Sequence, residues 1–246
     1  MSKLSLKNSN ILIIVPAYNE EKSIGDFLNT REYSQIAMSA DWLLINDASI
    51  DRTAEIARDN GIKVVSQIYN MGYGAALQLG YKYAVEHDYQ FVMQMDADGQ
   101  HDIRNLDLIY EKISDKINHY DIVIGSRFLK NSVAYPIDPL RKISIKFFKW
   151  LIKMVGKAEI SDPTSGLQGL NRKAFEYYAK YGQFDYRYPD VNMILQMLLQ
   201  GFRIVECKSI MHPRAAGVSM HSGIWKPFKY MVLMLISTIN AIVRNN

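Results

Sequence analysis

The sequence predicts an α/β fold with a mostly parallel central sheet, and three observations carry this prediction. Apolar runs of about five residues alternate with longer segments of helical periodicity through the first half of the chain. The runs are apolar throughout, which is typical of strands buried on both faces of a sheet. Polar residues follow several runs directly, at the carboxyl ends of the predicted strands, where parallel sheets bind ligands. This alternation predicts βαβ units with helices on both faces of the sheet.

The predicted elements follow one another in a regular order. Strands are expected at residues 11–15, 42–46, 63–67, 91–95, 121–125 and 203–206. Helices are expected at residues 20–36, 49–61, 72–87, 105–116, 140–157 and 189–202. Neither an internal repeat nor a low-complexity linker interrupts the pattern. The uninterrupted order of elements therefore predicts one domain at residues 1–220, followed by an amphipathic segment at residues 221–246.

The composition is that of an ordinary globular protein of 246 residues, with 48% hydrophobic and 22% charged residues. Cys207 is the single cysteine, which excludes a disulfide framework within the chain and favours a reducing compartment. The polar first ten residues lack the apolar core of a signal peptide. We therefore expect a cytoplasmic protein.

Basic residues are concentrated in the second half of the chain. Eight Lys and Arg residues lie between positions 127 and 157, together with one acid, and no acid follows Glu206. This asymmetry predicts an anionic partner, with a solvated basic face as the alternative. Nucleic acid is not the expected partner, because the lysines adjoin an apolar stripe and lack the exposed aromatic platforms that bind single strands.

The segment 230–243 is apolar and uncharged, but it holds only 14 residues. A membrane span needs about 20 apolar residues, so a transmembrane helix is not expected. Aromatic and Lys residues precede the segment, which is typical of a helix lying in the plane of a membrane interface. The alternative is a helix that docks on the domain core or on another protein.

Two carboxylates at positions i and i+2, Asp96 and Asp98, follow the strand predicted at 91–95. A divalent cation would relieve their mutual repulsion, and Mg²⁺ typically uses one or two carboxylates together with substrate phosphates. The alternative is a polar turn, because the sequence Asp-Ala-Asp-Gly also favours turns.

Asp47 follows the strand predicted at 42–46, where it could accept a hydrogen bond from a nucleobase or a ribose. The alternative is an N-cap of the next helix, although Ser49 and Asp51 are also available as caps. Gly72 and Gly74 precede a helix and permit close approach to an anionic ligand. Their spacing matches neither the dinucleotide fingerprint nor the Walker A motif, which argues against an NAD enzyme and a P-loop ATPase.

Seven motifs occur in a fixed order along the chain: IVPAYNEEKSI, LLINDASIDRT, YNMGYGAALQLG, MDADGQHD, VIGSRF, DPTSGLQGLNRKAF and GFRIVE…HPRAAGVS. Together they resemble the family 2 inverting glycosyltransferases of GT-A fold over residues 11–220. The resemblance is to the branch that contains dolichol-phosphate mannose synthase and bacterial polyprenyl-phosphate glycosyltransferases. Each motif is weak alone, but the ordered set is specific.

The resemblance implies a role for particular residues. Those expected to bind the donor nucleotide are Pro16, Tyr18, Glu20, Asp47, Gly72, Asp96, Ala97 and Asp98. Asp98 and Gln100 are the expected ligands of Mg²⁺ or Mn²⁺, and Asp96 is expected to face the nucleotide sugar. Arg127 and Arg141 are expected near an acceptor phosphate. Arg214 is expected to contact the donor diphosphate, which makes Asp98 and Arg214 candidate catalytic residues.

Two departures from the pattern bear on the substrates. Met220 stands where the mannosyl-phosphate enzymes usually carry lysine, which argues against GDP-mannose as the donor. Asp190 lies near the position at which other members of the family carry a catalytic acid. It would be the general base if the acceptor were a hydroxyl. A helix N-cap is the alternative role for Asp190.

The predicted function is transfer of a hexose or N-acetylhexosamine from a nucleotide diphosphate sugar, with a UDP-sugar favoured, to polyprenyl phosphate. Transfer to a hydroxyl of a lipid-linked oligosaccharide is the alternative. The expected role is bacterial cell-envelope polysaccharide synthesis or modification. The expected location is the cytoplasmic face of the plasma membrane, where the chain binds peripherally, and the resemblance also implies a small membrane-protein partner.

Overall fold

The computed structural model describes residues 9–133, 139–187, 189–213, 233–240 and 242–243. Seven strands in these ranges form one sheet in the order β3-β2-β1-β4-β6-β5-β7. The strands are β1 (Ile11–Ala17), β2 (Asp41–Asn46), β3 (Lys63–Ser66), β4 (Phe91–Gln94), β5 (Ile122–Ser126), β6 (Gln168–Asn171) and β7 (Ile204–Lys208). Only β6 runs antiparallel to its neighbours, β4 and β5. The predicted mostly parallel α/β sheet is confirmed.

Nine helices are present in the same ranges. They are α1 (Ile24–Asn29), α2 (Gln35–Ser39), α3 (Thr53–Asp59), α4 (Tyr73–Glu86), α5 (Asn105–Ile113), α6 (Pro139–Gly156), α7 (Arg172–Ala179), α8 (Val191–Leu199) and α9 (233–240). A short 3₁₀-helix at Thr30–Tyr33 separates α1 from α2. None of the described helices is long and apolar enough to cross a membrane.

Both faces of the sheet are buried, as the unbroken apolar runs predict. On β1, Leu12 and Ile14 belong to a core that includes residues of α4, α7 and α8. Ile13 and Val15 point the other way, into a second core with residues of α1, α3 and α5. Because successive side chains of a strand alternate between faces, one apolar strand contributes to both cores.

The single helix predicted at residues 20–36 is wrong. The chain leaves the helical conformation at Ser34, which is extended with φ −136° and ψ 129°. The Ser34 hydroxyl accepts a hydrogen bond from the Ala37 N–H at 3.1 Å and so begins a separate helix, α2. It also donates to Asp107 of α5 at 3.0 Å, which fixes this break against the domain.

The sequence reasoning missed β6 and α7. β6 has only four residues and contains Gly169, so it carries little of the apolar signal of the other strands. The glycine is needed because Ile109 of α5 lies where a Cβ would stand. Asn171 then caps α7, since its side chain accepts the Ala174 N–H at 3.0 Å. This cap was the available signal for the helix.

The C-terminal helix α9 packs on the domain through one of its faces. Met234 is fully buried and belongs to the core beneath α4 and α8. The Ser237 hydroxyl donates to Asp185 at 2.5 Å and accepts from the Asn192 amide at 2.7 Å. Docking on the domain was the alternative to an interface helix for this segment. The proposed boundary at residue 220 lies outside the described residues.

Candidate active site

The predicted donor residues meet at the carboxyl edge of the sheet, where β1, β2 and β4 end. The loops after β1 and β2 are tied together: the Asn19 N–H donates to Ser49 Oγ and the Ile50 N–H donates to Asn19 Oδ1, both at 3.0 Å. Asn19 and Ala48 both have positive φ, at 56° and 59°. Such left-handed conformations of non-glycine residues often occur at functional sites, where the surrounding structure holds them.

The loop after β1 contains Tyr18 and Glu20. Pro16 is buried within β1, whereas Tyr18 is exposed just beyond the end of the strand. The Glu20 side chain accepts a hydrogen bond from Ser23 at 2.7 Å, and its backbone N–H donates to Thr53 at 2.8 Å. Tyr18 is therefore accessible at the carboxyl edge of the sheet. Its contact with a nucleobase stays a prediction.

Asp47, at the end of β2, is hydrogen-bonded to the glycine-rich loop before α4. One carboxylate oxygen accepts the Met71 N–H at 2.7 Å, and the other accepts the Gly72 N–H at 2.8 Å. Asp47 does not cap α3, because Asp51 accepts the Thr53 N–H at 3.0 Å. The predicted N-cap alternative is therefore wrong for Asp47. A carboxylate has about four acceptor positions, so a further bond to a nucleotide is compatible with this arrangement.

Glycine is required at positions 72 and 74 for different reasons. Gly72 has φ 92°, which other residues rarely adopt. A Cβ on Gly74 would lie only 2.5 Å from the carbonyl oxygen of Tyr186. The start of α4 is thus packed directly against the backbone that precedes α8. This contact brings the loop before α8 to the same edge of the sheet.

Asp98 lies in a tight turn at the end of β4. Its Oδ1 accepts the Gln100 N–H at 3.0 Å, and Gly99 has φ 72°. Ala97 and Asp98 are both buried. The polar turn that the sequence offered as an alternative to a ligand site is therefore present. It holds the Asp98 carboxylate in place at the site edge, which is compatible with a ligand role.

Asp96 lies against Tyr73, the first residue of α4. The Tyr73 hydroxyl and the Asp96 carboxylate lie side by side next to Gly166. A Cβ on Gly166 would lie 2.9 Å from the Tyr73 hydroxyl and 3.1 Å from Asp96 Oδ2, so Gly166 leaves room for both groups. Burial raises the pKa of the Tyr73 phenol well above its usual value, and the nearby Asp96 carboxylate adds to the effect. The phenol therefore stays protonated beside Asp96.

The donor atoms at this edge suit a hard cation that arrives with a diphosphate. Within the described ranges, no group of three or more His, Cys, Asp or Glu side chains is placed to hold a metal ion. Mg²⁺ and Mn²⁺ do not need such a group when substrate phosphates and water complete their coordination. The Asp98 carboxylate and the Gln100 side chain provide oxygen ligands of the required kind. The residues present therefore fit the predicted cation.

Asp190 occupies the N-cap position of α8, but its side chain makes no capping hydrogen bond. Its backbone carbonyl accepts the Met193 N–H at 3.0 Å. The Asp190 carboxylate adds to the effect of burial in raising the pKa of the Tyr73 phenol. Asp190 therefore occupies the N-cap position, as the alternative predicts, but its side chain does not act as the cap.

Arg127 is buried in an ion pair rather than presented at the surface. Two guanidinium nitrogens each lie 2.6 Å from an oxygen of Asp162, and one also donates to Thr164 at 2.9 Å. This pairing joins the end of β5 to the loop before β6. The contact with an acceptor phosphate stays a prediction, but the observed geometry favours a structural role. Arg214, Met220 and the Arg141 side chain lie outside the described residues.

Solved structures with the same fold include glucosyl-3-phosphoglycerate synthase from Mycobacterium tuberculosis. The complex with Mn²⁺, UDP and glucosyl-3-phosphoglycerate matches with a TM-score of 0.67 at 14% identity, covering 94% of this chain and 79% of that chain. The complex with Mg²⁺ and UDP matches with a TM-score of 0.64 at 13% identity, covering 94% and 79%. Likeness at this identity shows the fold alone: the protein has the GT-A fold of glycosyltransferases.

The chain belongs to glycosyl transferase family 2, whose model matches residues 12–179. The undecaprenyl-phosphate mannosyltransferase of Micrococcus luteus is 31% identical over 226 residues, which cover 87% of this chain and 88% of that protein. A dolichyl-phosphate beta-glucosyltransferase of Trichomonas vaginalis is 34% identical over 181 residues, covering 67% and 54%. The chain thus spans about half the length of the latter relative. It is a glycosyltransferase.

Proposed function

We propose that this glycosyltransferase moves a hexose or N-acetylhexosamine from a nucleotide diphosphate sugar, UDP-linked by preference, to polyprenyl phosphate with inversion. The observation that carries the proposal is the meeting of two strand ends at the start of α4: Asp47 after β2 holds the loop before α4, and Tyr73 of α4 lies beside Asp96, which with Asp98 follows β4. Relatives named for dolichyl phosphate and undecaprenyl phosphate acceptors support the acceptor class.

In the proposed reaction, a phosphate oxygen of the acceptor attacks C1 of the sugar from the side opposite the nucleoside diphosphate. The new C1–O bond forms as the C1–O bond to the diphosphate breaks, and the electron pair leaves with the nucleoside diphosphate. Asp98 and Gln100 would hold Mg²⁺ or Mn²⁺, which when bound offsets negative charge on the diphosphate. Asp96, which lies beside Tyr73, orients the sugar, and Arg214 is proposed to contact the diphosphate.

The acceptor decides whether a general base is needed. A lipid phosphate is already ionised near neutral pH, so no protein carboxylate has to remove a proton. A hydroxyl acceptor of a lipid-linked oligosaccharide requires a base, and Asp190 is the candidate because related glycosyltransferases carry an acid near this position. This is the second candidate function.

Replacing Asp190 with Asn separates the two acceptors. With a phosphate acceptor we expect Asp190→Asn to keep transfer within about tenfold of wild type. Loss of a general base costs about 10²- to 10⁴-fold, so a loss of that size would favour the hydroxyl acceptor. Initial rates with a short-chain polyprenyl phosphate and with a lipid-linked oligosaccharide give the comparison.

Transfer assays with UDP-, GDP- and dTDP-sugars test the proposed function directly. We expect turnover that needs Mg²⁺ or Mn²⁺ and is abolished by Asp98→Ala, because that variant removes the proposed cation ligand. Glu111→Ala, which changes an exposed acid of α5, is the matched control and should keep wild-type activity. The absence of metal-dependent transfer with every donor would instead indicate a non-catalytic nucleotide-sugar sensor.

A surface of α6 supports the proposed peripheral association with a membrane. Four large apolar side chains at helical spacing are exposed on this helix: Ile143, Phe147, Trp150 and Met154. Lys146 and Lys153 are exposed beside them. An apolar stripe flanked by Lys suits an anionic membrane surface, where polyprenyl phosphate is presented. We place this surface at the cytoplasmic face of the plasma membrane of a bacterial cell making envelope polysaccharide.

A small membrane-protein partner is a further part of the proposal. Such a partner would bind the exposed side of α9, where Ile236 and Ile239 are about half exposed. Membrane association of the chain expressed alone, if it resists high salt, would argue against the need for a partner.

A further inference from the structure

A short extended segment after β7, residues 209–213, crosses the sheet edge and reaches the acidic loop, residues 96–102. On one side, the Val133 N–H donates to the Ser209 carbonyl at 3.0 Å and the Met211 N–H donates to the Val133 carbonyl at 2.8 Å. On the other side, Met211 forms an antiparallel bridge with His101. The segment therefore lies between residue 133 and the acidic loop and contacts both.

Asn105, the fully buried first residue of α5, fixes the middle of the segment. Its side-chain amide donates to the Ile210 carbonyl at 2.8 Å, and its side-chain oxygen accepts the Ile210 N–H at 2.9 Å. The Asp102 N–H also donates to the Ile210 carbonyl, at 3.1 Å. Both backbone groups of Ile210 are thus held by the start of α5.

His212 then contacts the acidic loop twice, on either side of His101. Its backbone N–H donates to the Gln100 carbonyl at 2.7 Å. Its Nε2 lies 2.9 Å from Asp102 Oδ2. Asp102 Oδ2 also accepts a hydrogen bond from Arg104 at 2.6 Å. Because a carboxylate accepts hydrogen bonds, His212 Nε2 is the donor of the bond to Asp102.

We propose that His212 is a positioning residue. Through its bonds to Asp102 and Gln100, it sets the position of the acidic loop against residues 209–213. The proposal rests on the proposed function, because Asp98 and Gln100 are the residues assigned to the cation. The His212 side chain is 52% exposed, so it contributes little to the apolar core. Its two bonds hold the chain at the end of the turn that presents Asp98 and Gln100 and directly after it, and that is the role the geometry assigns to it.

Three variants test this role. His212→Ala removes the side-chain bond to Asp102 and leaves the backbone bond to Gln100 in place. His212→Gln keeps an N–H donor that can reach Asp102. His119→Asn is the matched control, because His119 is an exposed histidine on the loop between α5 and β5, and Asn tolerates its positive φ of 48°.

Two measurements are made on each full-length variant. Hydrogen–deuterium exchange of the protein without ligand reports opening of the acidic loop. Calorimetry with Mn²⁺ and UDP, GDP or dTDP reports affinity at the site. We expect His212→Ala to speed exchange at residues 98–105 and to weaken Mn²⁺–nucleotide binding about tenfold, the usual scale for partners of metal ligands. His212→Gln should restore most of the affinity, and His119→Asn should match wild type.

Unchanged exchange in His212→Ala would overturn the proposal, because the side-chain bond would then not hold the loop. Faster exchange with unchanged affinity would also overturn it, since His212 would then stabilise the fold without positioning the site. If the wild-type protein binds none of the three nucleotides with Mn²⁺, the proposed function itself fails. Normal binding by wild type and by His212→Ala alike would instead refute only the role of His212.

Discussion

A few close contacts with the start of α4 connect the residues of the candidate site, and Tyr73 is the one that the motifs did not single out. The sequence placed Asp47, Gly72 and Asp96 in separate motifs. In the structure Asp47 is bonded to Gly72 and so fixes the loop before α4, and the next residue, Tyr73, lies beside Asp96. Gly166, before β6, provides the space for this contact. A tyrosine at the start of a helix carries no sequence signal for such a role.

Replacing Tyr73 with Phe should therefore reduce kcat while the fold is retained. A hydrogen bond to a charged group contributes about 1.5–3 kcal/mol, so we expect a loss of roughly 10- to 100-fold if the phenol donates to Asp96 in the transition state. The loss should be the same from pH 6 to 9, because the raised pKa keeps the phenol protonated throughout. Steady-state rates at saturating donor and metal measure it.

The control is Tyr83→Phe on the same helix. Tyr83 accepts a hydrogen bond from Lys63 at 2.9 Å, towards the other end of α4 and away from the site. Its hydroxyl is therefore not expected to affect turnover. Equal losses in the two variants would show that the effect of Tyr73→Phe acts through the stability of α4 rather than through Asp96.

At the scale of elements, α4 packs against the central sheet, and its first residue, Tyr73, lies at the candidate site. It packs on β1 through Gly80, where a Cβ would lie 2.6 Å from the Ile14 side chain. Ile14 is fully buried in the centre of the sheet and cannot move aside. The close approach of α4 to β1 therefore depends on the glycine.

Replacing Gly80 with Ala should lower the free energy of unfolding by about 1–3 kcal/mol, the usual cost of overpacking a core. Gly25→Ala is the matched control on α1, where the new Cβ would meet Ile56 at an ordinary 3.6 Å. That control should raise the free energy of unfolding by about 0.5–1 kcal/mol through helix propensity. Urea denaturation measures both. A neutral Gly80→Ala would mean that α4 can shift away from β1 at little cost.

Element prediction succeeded where a run of side chains carried the signal. The five strands of the first half begin and end within two residues of the predicted positions, because burial on both faces requires unbroken apolar runs. The helix at 20–36 failed because Ser34 breaks a continuous pattern through one capping bond. The strand β6 was missed because its position depends on neighbours, β4 and β5, that lie far from it in the sequence.

At the scale of the whole molecule, the exposed faces decide which partners the chain can meet. The carboxyl edge of the sheet carries acids, whereas α6 carries exposed apolar residues and lysines. One face of α9 is taken up by the domain, since Met234 and Thr238 are fully buried. The exposed stripe on α6 is therefore the best-defined candidate membrane surface among the described residues.

Vesicle binding tests this surface. Combined replacement of Phe147 and Trp150 with Ser should lower the fraction of protein that floats with anionic vesicles several-fold, because both rings would lose their place in the interface. Tyr181→Ser is the control, since Tyr181 is 98% exposed and lies on a different part of the surface. Raising the salt concentration should release part of the bound wild-type protein, as expected for the lysine contribution. Unchanged flotation of the double variant would exclude α6 as the contact.

The sequence by itself determined the α/β class, the order of most strands and helices, and the motif residues at the strand ends, because apolar runs and turn-forming residues report local structure directly. Only the tertiary structure decided that Asp47 is bonded to the loop before α4, that Tyr73 lies beside Asp96, and that His212 reaches Asp102. The bond between His212 and Asp102 joins residues 110 positions apart. Such contacts depend on how strands are ordered across the sheet, and that order is set by packing of the whole chain.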